Sequence, residues 1–533
     1  MANFTQVEKN GLFELTDAAR AELAESKYFN EDLAPTTVAE RKWTTYNITM
    51  LWVGMSICIP ALALSSGLIG YGVSPWLSVL NVALGNIIIL IPIQLNSNIG
   101  TKYGIPFPLF ARLTFGIRGS QLPALLRALT ACGWTSVQAW VGGGAVAAVL
   151  GCFIPWFMDN NSTITLPSWG GMTPVVAGTF VGYVAFILFV GWVAYHGMDR
   201  IKWIQNIGGP ILVIVMFALL IWAANLAKTE CGMSFWEVMQ VGNDDATIAA
   251  NGGFAHVYSY ALMGNIAFWA TMALNIPDFS RYAKSQSSQF QGQLYGMPLP
   301  MAFCAFVGAY FAQATKLAEV KLDPETGAPV PIFDPTEVFY YIDNKLVVFI
   351  AAFGVVCATI TTCVAANVVA PANGISNINP KKISYKMGVV ITILIAFFIL
   401  QAWWIYGSGS AYFTWMNAYG TILSPIAAIF IADYFFVKSK RADIAALFKG
   451  EDGRYWYNNG INWAAIIAWV VAFILPLLVY FVPATGFLAF VNDINYVWSF
   501  VVGFIVYIIL MKTSLKCNSE VSEEEHEAFT ERA

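Results

Sequence analysis

Long apolar stretches alternate with polar ones along the whole chain: 47–69, 74–97, 121–151, 173–195, 208–227, 256–277, 296–315, 345–370, 387–404, 411–436, 462–483 and 493–511. An apolar run of about 18–25 residues is long enough to cross a bilayer as a helix. The pattern therefore predicts an all-α integral membrane protein with twelve transmembrane helices. Segment 98–120 is interrupted by glycine, proline and charge, and predicts a loop with an amphipathic part.

Two runs carry breaks. The first holds Gly54 and Pro60, and the sixth holds Asn275 and Pro277 close after its apolar part. Proline removes a backbone donor and frees a carbonyl one turn earlier. Such freed groups are tolerated at membrane depth only inside protein or along a wet cavity. Runs one and six are equivalent if the chain is two five-helix repeats. An odd number of helices per repeat inverts the second repeat, and broken helices at matching positions point to a transport site. Two ordinary proline kinks are the plainer alternative.

The eighth run, CATITTCVAANVVAPAN over 357–373, is polar for its depth. At about 100° per residue, Ala358, Thr361, Thr362 and Ala365 share one face, and Thr359, Cys363 and Asn367 form a stripe beside it. These groups serve either as helix–helix glue or as a site. In the third run Trp134 and Gln138 are spaced i, i+4 and lie on one face. The sixth run places Phe268 and Trp269 ahead of Pro277. Packing alone would also explain these aromatics. Together they make an uncharged inventory of two tryptophans, two amides and several hydroxyls. Tryptophan faces stack flat rings, and a carboxamide offers a donor beside an acceptor. That chemistry matches the N–H/C=O edge of a uracil, a purine or a hydantoin. Carbonyls around Gly54 and Ile57, with Ala358, Thr361 and Thr362, offer about five neutral oxygens, which suit a hard cation.

Composition fixes the class. Charged residues are 11% of the chain and hydrophobic ones 58%, whereas soluble domains carry about 25% charged residues. A net charge of −4 gives no basic surface for nucleic acid. The eight cysteines are scattered without a CxxC, and a Cys152–Cys231 bridge is the one pairing left open. With the N-terminus inside, 24 of the 28 lysines and arginines, Arg127 among them, fall in inner segments. This positive-inside bias predicts a multi-pass protein of the plasma or inner membrane with both termini cytoplasmic. No carboxylate or histidine lies mid-membrane, which favours sodium over a proton as coupling ion. No enzyme signature appears.

The stretches EDLAPT, TKYGIPFPLFARLTFGIRGS, LLRALTACGWTSVQAW, FWATMALNIPDFSRYAKS, AANVVAPAN and IADYFFVK give the chain its family likeness. From about Asp32 to Lys512 it resembles the nucleobase:cation symporter family 1, the purine, uracil, allantoin and hydantoin permeases. The resemblance implies the inverted five-helix-repeat fold of the amino acid–polyamine–cation superfamily plus two C-terminal helices. The implied layout is a tail over 1–43 and a ten-helix core over 44–436, with repeats at about 44–227 and 256–436. A linker with two further helices follows over 437–511, then a tail over 512–533. The resemblance implies that substrate lies between Trp134 and Trp269, hydrogen-bonded by Gln138, Asn367 and the backbone near Phe268. It implies a sodium site at Gly54, Ile57, Ala358, Thr361 and Thr362, with a proton as the other candidate. In the first run the family often has Gln or Asn against the substrate, where this chain has Cys58. The implied activity is import of a neutral uracil-like or purine base with a cation by alternating access. An allantoin or hydantoin permease is the alternative, and a channel or transporter-derived sensor the reading from another class. No cofactor is implied, and the reading is of a monomer in the bilayer without a nucleic-acid partner.

Overall fold

The computed structural model describes residues 4–29, 31–169, 171–196, 202–323, 326–378, 383–513, 515 and 519–532. Helix occupies each of the twelve predicted stretches, but not as twelve uniform rods. Among the described residues, seven helices are long and apolar enough to cross a membrane singly, or eight if the bent first pair is one span. The others depart for local reasons. Gln121–Gly151 is one 31-residue helix whose polar and glycine positions dilute its apolar character. The sixth stretch is divided into Phe254–Ala267 and Ala270–Asn275. The eighth and ninth contain wide π-turns at Cys363–Val368 and Ile395–Ile399.

The first stretch breaks as its sequence requires. Helix Thr45–Ser56 ends at Ile57 and Cys58, both extended, and Ile59–Gly70 restarts at an angle of 54°. Pro60 sits in the first turn of the second half, where its missing N–H costs nothing. The sixth stretch does not break at Pro277. That proline begins the short helix Pro277–Ser280, and the break lies earlier, at Phe268–Trp269. There the Ala267 carbonyl accepts from Tyr419 Oη at 3.0 Å.

Close packing rests on small residues. A methyl group added at Gly143 would meet Tyr183 Cα at 2.4 Å, and one at Gly182 would meet the Gly143 oxygen at 2.2 Å. Helices 121–151 and Ala177–His196 therefore cross backbone to backbone, as small-residue membrane interfaces do. The predicted loop 98–120 is shorter than expected. Helix Pro75–Tyr103 runs on to its left-handed cap at Gly104, and Phe107–Phe115 is the amphipathic part.

Two features outside the membrane were not expected. At the face carrying both termini, Gln6–Lys9 pairs antiparallel with Leu12–Leu15 and parallel with Thr530–Arg532. At the opposite face, Thr163–Ser168 and Gly171–Val176 form a hairpin. Cys152 and Cys231 are both free thiols, so the open disulfide pairing is not made.

Candidate functional site

Three local departures from regular helix and one long regular helix converge on one small cavity of about 60 Å³. The break in the first stretch supplies Met55 and the buried Cys58. The break in the sixth supplies Phe268 and Trp269, followed by Thr271 and Met272. The long third helix supplies Arg127, Ala131, Trp134 and Gln138. The eighth stretch supplies Thr362 and Asn367.

The eighth stretch corrects the two-stripe expectation. Thr362 and Asn367 line the same cavity although regular helix would put them on different stripes. The π-turn is the cause, because an i→i+5 turn brings residues five apart into line. Pro371 has no N–H to give the Asn367 carbonyl one turn before it. That carbonyl accepts instead from Thr135 Oγ1 at 2.7 Å. Cys363, expected beside Asn367, turns away, and its thiol points at the Thr135 carbonyl, 3.9 Å off.

The two tryptophans are held differently. Trp269 Nε1 donates to Asn86 Oδ1 at 2.8 Å, and its ring meets Trp52 edge-on at 5.2 Å. Trp134 meets Phe268 edge-on at 4.8 Å and Trp415 at 5.1 Å. Phe268 touches both tryptophan rings, Trp269 at 5.0 Å, and borders the cavity with them. Gln138 is buried, and its amide makes no hydrogen bond among the described residues.

For a cation, Thr362 Oγ1 donates to the Ala358 carbonyl at 3.2 Å, which leaves the hydroxyl lone pairs for an ion. Helix 45–56 ends just past Gly54, so carbonyls of its last turn lack amide partners one turn on. Ile57 is the extended residue at the break, and its N–H closes onto Val53 O at 3.1 Å. Neutral oxygens of this kind fit a hard monovalent ion. The side chain of Thr361 lies outside the described residues.

Arg127 overturns the uncharged inventory. The positive-inside pattern predicts it in an inner segment, yet it is 6% exposed and borders the cavity. It also borders a wider cavity of about 460 Å³ that opens toward the face of the termini, past Asn275, Asp278 and Arg281. With the Asn275 amide oxygen turned toward it, Arg127 Nη2 donates at 2.8 Å. The signal was in the sequence, since residues 127, 131, 134 and 138 step by four, three and four along one stripe.

A family described as permease for cytosine/purines, uracil, thiamine, allantoin matches residues 35–503. The chain is 33% identical to the purine-uracil permease of Arabidopsis thaliana, over 93% of this chain and 80% of that one. It is 31% identical to the allantoin permease of Bacillus subtilis, over 93% and 96%. The fold is similar to that of Mhp1 in its inward-facing conformation, with a TM-score of 0.73 at 22% identity, covering 94% of this chain and 97% of that one.

Proposed function

The chain belongs to the permease family for cytosine/purines, uracil, thiamine and allantoin, and from that premise we propose that it imports a neutral nucleobase with sodium by alternating access. It is a multi-pass membrane transporter and not an enzyme. The observation that carries the substrate reading is the cavity bordered by Trp134, Phe268 and Trp269, with the Gln138 and Asn367 amides on its wall. Aromatic rings give a flat ligand its faces, and amides give it an N–H/C=O edge. An allantoin or hydantoin ring presents the same edge and is the second reading, favoured by the Bacillus subtilis relative.

Sodium, in this reading, is bound by the carbonyls of Gly54, Ile57 and Ala358 with the hydroxyls of Thr361 and Thr362. The breaks in the first and sixth stretches, each some twelve to fourteen residues into its helix, support inverted repeats over about 44–227 and 256–436. The wider cavity on the termini side corresponds to an exit toward the cytoplasm, with both termini cytoplasmic. The two helices after 437 then lie outside the repeats.

The test is uptake of radiolabelled uracil, cytosine, adenine, guanine, allantoin and benzylhydantoin into vesicles, with sodium and proton gradients imposed separately. Saturable, sodium-driven uptake of a nucleobase is expected. Full uptake in sodium-free choline buffer that collapses with a protonophore would replace sodium by a proton. Non-saturating flux would replace the symporter by a channel.

A further inference from the structure

Arg127 is a charged group on the wall of an otherwise neutral cavity, and its surroundings leave part of it unmatched. Its Nη2 meets the Asn275 oxygen at 2.8 Å, while Nε has no acceptor among the described residues. Asp278, which borders the wider cavity with it, accepts from the Phe107 N–H at 2.8 Å and makes no ion pair with Arg127 among the described residues. A guanidinium has five N–H donors and no acceptor. Buried without full pairing, it is costly, and a ligand acceptor placed against it recovers part of that cost. Ala131, the small residue between Arg127 and Trp134 on the stripe, lines the same cavity as both.

Resting on the nucleobase reading above, we infer that Arg127 is a specificity-determining residue. It selects rings that turn an exocyclic carbonyl oxygen toward the termini side of the cavity. Oxo-purines and oxo-pyrimidines fit this demand. Counterparts with an amino group at that same position, cytosine among them although it keeps a carbonyl elsewhere on the ring, set N–H donors against N–H donors. A site built to hydrogen-bond one group discriminates strongly against an analogue that leaves its buried polar atoms unpaired. Arg127 borders both cavities, so the same guanidinium stays beside the carbonyl as the ring leaves toward the termini side.

Matched pairs differing at one exocyclic position test this: uracil with cytosine, and hypoxanthine with adenine, titrated calorimetrically into the purified full-length protein. The wild type is expected to bind the oxo member of each pair more tightly. Arg127→Gln is expected to weaken the oxo members roughly tenfold, the factor common for a lost charge-assisted hydrogen bond. The amino members should be unchanged or tighter, so that the oxo/amino ratio collapses. Arg127→Lys keeps a donor and a charge, should retain part of the preference, and carries the test if the glutamine variant does not fold. A wild-type preference for amino rings, an equal loss across all four ligands, or a ratio unchanged in both variants overturns the inference while leaving nucleobase transport standing. Failure of the wild type to bind any of the four overturns the nucleobase reading and this inference with it.

Discussion

Trp134 and Trp269 border one cavity, and the Trp269 indole N–H donates to the buried Asn86 amide oxygen. Removing Trp134 therefore takes away a ring face, whereas removing Trp269 also leaves a buried amide oxygen unpaired. Both Trp134→Ala and Trp269→Ala are expected to abolish saturable uptake, with Trp269→Ala also lowering the melting temperature of the purified protein. Normal transport by both variants would show that the aromatics only pack. Gln138→Leu and Asn367→Leu are expected to weaken binding by about 1–3 kcal/mol each, read by ligand titration; unchanged affinity in both would make the amides packing groups. The stripe holding Trp134 and Gln138 was legible because a regular helix carries it, and the spacing of three and four survives folding intact. Arg127 stands on the same stripe, but the positive-inside bias predicts such a charge at a solvated end, which hides its place in the site.

Pro371 decides where Asn367 faces. Alanine there would offer an N–H to the Asn367 carbonyl, in competition with Thr135. Pro371→Ala is expected to regularise the helix, hold or raise the melting temperature, and weaken substrate binding about tenfold as Thr362 and Asn367 rotate apart. Unaltered affinity would show that the π-turn does not depend on the proline. Breaks were legible in kind but not always in place. Pro60 lies in the turn that restarts the first span, so its signal and its effect nearly coincide. The sixth break is set by tertiary contacts, the Tyr419 hydroxyl on Ala267 and the seating of Trp269 on Trp52, and no local residue announces it. Pro277, the local signal, only starts a later helix. The same distinction applies to sodium. Thr361→Ala with Thr362→Val is expected to raise the sodium concentration for half-maximal uptake, and an unchanged value would remove these hydroxyls from the ion site.

The whole chain is closed at one face by its own ends. His526 packs edge-on against Phe13 at 5.1 Å and lies 3.3 Å from the Tyr103 hydroxyl. Burial first, then Lys102, Arg441 and Arg532, push its pKa down to about 4. The folded state thus prefers the neutral imidazole. The stability it lends is complete above the ordinary value near 6.5 and is lost as pH falls from there toward 4. Amides of 523–532 are expected to exchange faster at pH 5 than at pH 7.5, after correction for intrinsic rates, and His526→Phe should remove the difference. Equal protection of the wild type at both values would count against the histidine. Four-residue strands such as QVEK and LFEL are too short for their alternation to stand out in a sequence, and their third partner lies more than 500 residues away. That contact was invisible for the same reason that the membrane spans were plain: one depends on distance along the chain, the other only on local apolarity.

That parallel strand pair also orders events during synthesis. Gln6–Lys9 leaves the ribosome early, while Thr530–Arg532 follows after about 25–100 s at ordinary elongation rates. Through that interval the first hairpin has an open edge, the kind of surface that recruits unintended strands. Chaperone demand should therefore concentrate on the nascent protein rather than on the finished one.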